Sequence, residues 1–149
     1  IINLLAVLTL FLFSCNGETA KNNFTESKET DPPSKVKVME KSVMKVHDDA
    51  MARMDLIYRL KKQVKHLTDS LLQDSTTHSE KLAVAKKNIE LLEAADESMM
   101  SWMRTYRKPK GKSESEAMEY LEAEQVKIDA VSKLMNDNIA AAEAFLKEK

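Results

Sequence analysis

SKVKVMEKSVMKVHDDAMARMDLIYRLKKQVKHLTDSLL, residues 34–72, decides the fold. Val36, Val43, Ala50, Ile57, Val64 and Leu71 recur every seven residues, and Met39, Val46, Leu60 and Leu67 sit three after four of them. This spacing lays one apolar seam along a helix and leaves the charged side chains on its other faces. It predicts a single helix over residues 34–72, with Ser34 capping its start after Pro32-Pro33. Gln73-Asp74-Ser75-Thr76 reads as the turn that ends it.

Beyond that turn, Thr77-x-x-Glu80 is a capping box, and a second helix is expected over residues 78–107. Its seam is expected at Leu82, Ala85, Ile89, Leu92, Met99, Met103 and Tyr106, with Asp96 in a place where an apolar residue would fit. Lys108-Pro109-Lys110-Gly111-Lys112 breaks the helix. Ser113-x-x-Glu116 opens a third helix over residues 114–146, with Leu121, Ile128, Met135 and Ala142 seven apart and Val131, Ile139 and Phe145 beside them. Short connections make neighbouring helices antiparallel. The expected fold is therefore all-α, an antiparallel three-helix bundle over residues 34–149. A turn near Ser75 sets His47 opposite Met103, Met51 opposite Met99 and Met54 opposite Asp96. The second turn brings Met118 toward Met103 and Glu124 toward Asp96.

Composition excludes most other classes. Two glycines and three prolines in 149 residues are too few for an all-β or doubly wound fold. A formal net charge of −1 supplies no positive field for nucleic acid. The single cysteine, Cys15, rules out an intrachain disulfide and a cysteine-rich zinc site.

Residues 1–13 are almost continuously apolar, too short to span a bilayer with ease but suited to the core of a signal peptide. An initiator Met and a basic flank are missing, so residues 1–14 read as a lipoprotein signal peptide truncated at its start. Leu12-Phe13-Ser14-Cys15 resembles the bacterial lipobox, although Phe13 is bulkier than usual. The resemblance implies cleavage before Cys15 and lipidation of Cys15, which would anchor the chain firmly because each buried methylene adds about 0.8 kcal/mol. The competing reading is a secreted protein with a lone free cysteine. Residues 16–33 are polar, carry one aromatic (Phe24) and cannot bury enough apolar area to order themselves, so residues 15–33 are expected to be a lipidated cysteine and tether.

Chemistry, if any, would sit in a methionine-rich cluster. At 100° per residue, Met44, His47, Met51 and Met54 fall within roughly 80° of one helix face, and Asp96, Met99, Met100 and Met103 within roughly 100° of another. With Met118 these are seven of the nine methionines. One reading is core packing, because Met fills irregular gaps. A second is a soft-metal site for Cu(I) or Ag(I), in which His47, Met51, Met99 and Met103 are ligands and Met44, Met54, Asp96, Met100 and Met118 support them. Helical geometry is expected to turn Trp102 away from these methionines. A third, haem held by a His/Met pair, needs a cavity that three helices seldom leave. No Glu-x-x-His pair, HExxH or phosphate-cradling loop is present, and no enzymatic activity is expected. Arg104, Arg107, Lys108, Lys110 and Lys112, with Lys35, Lys37 and Lys41, form a basic rim that could meet anionic headgroups or simply be a solvated helix end.

The lipobox, the polar tether, His47-Asp48-Asp49-Ala50-Met51 and Ala95-Asp96-Glu97-Ser98-Met99-Met100-Ser101-Trp102-Met103 together resemble a group of small Bacteroidota lipoproteins often labelled "viral A-type inclusion protein". The likeness covers nearly the whole chain. It implies a lipid-anchored helical protein of the cell envelope, on the outer membrane, and implies nothing about viruses or a reaction. The expected function is a non-catalytic binding or structural role, with an envelope protein or a second copy as partner; the alternative is soft-metal binding.

Overall fold

The computed structural model describes residues 34–73 and 79–148. The expected signal peptide, Cys15 and tether lie outside them, as does Thr77 of the first capping box. Among the described residues every element is helical: α1 Lys35–Met51, α2 Met54–Gln73, α3 Ser79–Thr105 and α4 Glu114–Lys147. Pairing shows the directions. Glu40 meets Lys108, His47 meets Trp102 and Lys61 meets Glu93, so α3 runs against α1 and α2. Tyr106 meets Tyr120 and Leu91 meets Asn138, so α4 runs against α3. This is an antiparallel three-helix bundle whose first rod is bent between α1 and α2.

The bend corrects the expectation of one unbroken helix over residues 34–72. Ala52 N–H still bonds Asp48 C=O at 3.0 Å, but Arg53 N–H bonds Ala50 C=O at 2.9 Å, three residues back instead of four. Such a tightened turn changes the direction of a helix without needing proline or glycine. The Arg53 guanidinium then donates to the Asn136 side chain on α4. On either side of the bend the rod has different main partners: α1 packs on α4, and α2 packs on α3.

The heptad of the first rod is the core. Val43, Ala50, Ile57 and Val64 are buried, with Leu60 beside them. On α4, Leu121, Ile128, Met135 and Ala142 are buried as expected, together with Ile139 and Phe145. On α3 the seam differs from the expected one. Ala85, Leu92 and Met99 are buried, but the second row is Asn88, Ala95 and Trp102, while Leu82, Ile89 and Met103 are only partly covered. Asp96 is likewise off the seam. Its carboxylate lies 3.7 Å from Lys61 Nζ. The same Nζ lies 3.9 Å from Glu93 Oε1, one turn earlier on α3, so Lys61 reaches both acids. Ser34 caps α1 by accepting from Lys37 N–H at 3.3 Å. Ser113 and Glu116 form the reciprocal capping box of α4. Gly111, at φ +73°, supplies the left-handed residue that turns the chain before that cap.

Candidate functional site

The methionines of the expected cluster differ in burial. Met99 has 0 % exposure, and Met44, Met51, Met54 and Met103 pack partly buried around the same apolar core. Met118 sits near the start of α4, where it borders a shallow groove with Met39 and Val38. Met100, 39 % exposed, points out of the bundle. His47 Nδ1 lies 2.9 Å from Asp48 Oδ1, and its ring lies against Trp102 with centroids 5.4 Å apart. The ring met by His47 is thus Trp102, which the sequence reading had turned away. The Asp96 carboxylate lies 3.7 Å from Lys61 Nζ. Among the described residues no three His, Cys, Asp or Glu side chains converge as a metal site.

What the fold assembles here is an aromatic stack joining α1, α3 and α4. His47 lies on Trp102, Trp102 on Tyr106 (4.7 Å, 21°), and Tyr106 faces Tyr120 (6.3 Å, 26°). Local structure explains the placement. Trp102 and Tyr106 are four apart at the end of α3, so their rings share a face. Tyr106 N–H closes the last turn on Trp102 C=O at 2.8 Å. The Thr105 hydroxyl covers the terminal carbonyls of Ser101 and Trp102 at 3.1 and 3.0 Å. The next N–H, Arg107, finds no helical acceptor and donates to Tyr120 Oη at 3.0 Å. Orphan groups at a helix end are thereby satisfied.

Glu124 completes the cluster. It lies one turn beyond Tyr120 and is 4 % exposed, on the heptad row that elsewhere holds Ala117, Val131, Asn138 and Phe145. Lys127 Nζ donates to its Oε1 at 2.7 Å, and this carboxylate raises the Lys127 ammonium above the usual lysine range. Since Tyr106 pairs with Tyr120 and Leu91 with Asn138, Glu124 lies level with the end of α3 and not with Asp96, where the sequence placed it. Burial first, and then the negative charges of Glu40, Tyr120 and Glu124, push the Tyr106 phenol up to about 12. The phenol stays neutral and keeps its proton to donate. Glu40 is in turn held by Lys108 Nζ at 2.7 Å, which fastens the α3–α4 loop to α1. The basic rim is partly neutralised in this way, since Arg104 also pairs with Glu97.

Three buried polar atoms in this cluster have no hydrogen-bond partner among the protein groups: Trp102 Nε1, Tyr106 Oη and Glu124 Oε2. Sequence reasoning put Tyr106 on the α3 seam and Glu124 toward Asp96, but it singled out neither of them as part of this cluster, nor Glu40 or Tyr120. The one available signal was Glu124 on an apolar heptad row. Grooves of about 400–540 Å³ lie along α2, around Lys62, Lys65 and His66, and the groove beside Met118 is of similar size, about 420 Å³. No described helix is long and apolar enough to cross a membrane. In comparisons with family models, curated proteins and solved structures, nothing matches the chain.

Proposed function

We propose that this chain is a lipid-anchored helical protein of the cell envelope with a non-catalytic binding or structural role. The observation that carries this reading is the lone Cys15 placed directly after an apolar run, in Leu12-Phe13-Ser14-Cys15, and followed by a polar stretch and a helical bundle. Two further facts support it. Met99 and Met135 are buried in the apolar core, Met39, Met44, Met51, Met54 and Met103 pack partly buried against it, and the His47 ring lies against Trp102. The exposed large apolar side chains, Val38, Tyr58, Leu72, Val84 and Val126 among them, occur on all four helices rather than around a cleft.

Acyl labelling and fractionation test the proposal. The full chain is expressed in a bacterium behind an export signal, with labelled palmitate in the medium. The wild type is expected in the membrane fraction carrying label, and Cys15→Ser is expected unlabelled and released. An unlabelled wild type in the soluble fraction would overturn the reading.

A further inference from the structure

One end of the bundle gathers the start of α1, the loop after α3 and the start of α4, since Lys108 pairs with Glu40 and Tyr106 faces Tyr120. Residues 34–42 and 105–120 carry seven Lys and Arg against four Glu, in a chain whose net charge is −1. Two of those acids are already engaged: Glu40 by Lys108, and Glu116 by the Ser113 N–H and hydroxyl. Lys35, Lys41 and Lys110 make no ion pair among the described residues. On the same end a groove of about 420 Å³ runs between α1 and α4, lined by Lys35, Val38, Met39, Ser42 and Met118. Val38 stands 54 % exposed there, with Lys35 and Lys41 three residues to either side, so an apolar side chain and two cations share one helix face.

We infer that this end of the bundle rests on an anionic lipid surface, with Val38 at the headgroup boundary and the lysines at the lipid phosphates. The inference rests on the lipid-anchor reading above and names the face that such an anchor presents to the bilayer. Apolar side chains flanked by cations are what an interfacial surface carries: the methylene stems lie on the apolar boundary while the ammonium groups stay at phosphate level. Each lysine close to an anionic leaflet adds attraction that fades within a Debye length, so the docking is sensitive to salt. The stretch that follows Cys15 enters the bundle at this end, at Ser34. An anchor at Cys15 turns docking into an intramolecular step, and a small patch then suffices. That point of entry favours lipid over an acidic protein as the occupant.

Amide hydrogen exchange of the full chain in vesicles of phosphatidylcholine, with and without phosphatidylglycerol, tests the inference. Residues 35–42 and 106–113 are expected to exchange severalfold more slowly in the anionic vesicles, and the difference is expected to vanish at high salt. Lys35→Glu with Lys110→Glu is expected to abolish the slowing, and Val38→Ser to weaken it. Lys86→Glu with Lys147→Glu makes the same charge change at exposed sites on the far end and is expected to leave the slowing intact. Equal exchange in the two kinds of vesicle would overturn the inference. So would slowing that survives the Lys35 and Lys110 changes, or slowing that the far-end changes also remove. The intact mass of the same sample shows whether Cys15 is acylated. Slowing without an acyl group would remove the anchor and keep this surface, and an acylated chain without slowing would do the reverse.

Discussion

Replacing Met99 by Ala separates a core methionine from a surface one. The Met99 side chain is completely out of solvent, on the α3 row that also carries Ala85 and Leu92. Its truncation removes buried apolar atoms and leaves a cavity, and Leu, Ile or Met to Ala changes of this kind cost about 2–5 kcal/mol. A domain of this size loses about 1–3 kcal/mol per molar urea, so the unfolding midpoint is expected to fall by about 1–2 M. Met99→Leu keeps the volume and is expected to cost less than about 1.5 kcal/mol. Met100, the next residue, points outward, and Met100→Ala is expected to stay within about 0.5 kcal/mol of wild type. The assay is urea unfolding followed by circular dichroism at 222 nm, with the slope compared across variants. If Met99→Ala fell in the same range as Met100→Ala, or if Met99→Leu cost as much as Met99→Ala, the assignment of Met99 to the packed core would fail.

Titration with Cu(I) against a competing chelator is expected to give only weak binding, unchanged by His47→Ala or by Met51→Leu with Met99→Leu. Tight one-to-one binding lost in those variants would refute the packing reading. The Tyr106 phenol, raised to about 12 in the folded chain, holds its proton where the unfolded chain has lost it. Its contribution to stability is thus complete below about pH 10 and is lost as pH rises toward 12. Urea unfolding across that window should show a steeper decline in wild type than in Tyr106→Phe, and equal slopes would count against the assignment. Ser113→Ala removes the capping box of α4 and is expected to cost about 1 kcal/mol, read as a lower thermal midpoint. An unchanged midpoint would show that the cap contributes nothing.

The first rod was the most legible part of the chain. Val43, Ala50, Ile57 and Val64 are large or tightly spaced enough to announce a seam, and they are the buried row. The α3 seam was legible only in half. Ala85, Leu92 and Met99 stood out, but Asn88 and Ala95 carry almost no hydropathy signal, so the row that ends in Trp102 was hidden behind the louder Leu82, Ile89 and Met103. The bend was hidden as well, because the tightened step at Arg53 carries no proline or glycine to announce it. Counting from the turn placed α1 closely: His47, expected opposite Met103, meets the ring of the adjacent Trp102. Glu124 was hidden for a different reason. A carboxylate in a helix reads as solvent-facing unless its place in the repeat outweighs its charge.

The bend also divides the bundle into zones of unequal cooperativity. α1 packs mainly on α4, α2 packs mainly on α3 with a smaller face on α4, and Arg53 with Asn136 is a polar link from the bend to α4. The two halves of the first rod, with different main partners, are expected to fray to different extents. Amide hydrogen exchange should sort the rod into two groups of protection factors that meet at Arg53, whereas a straight rod would exchange as one foldon.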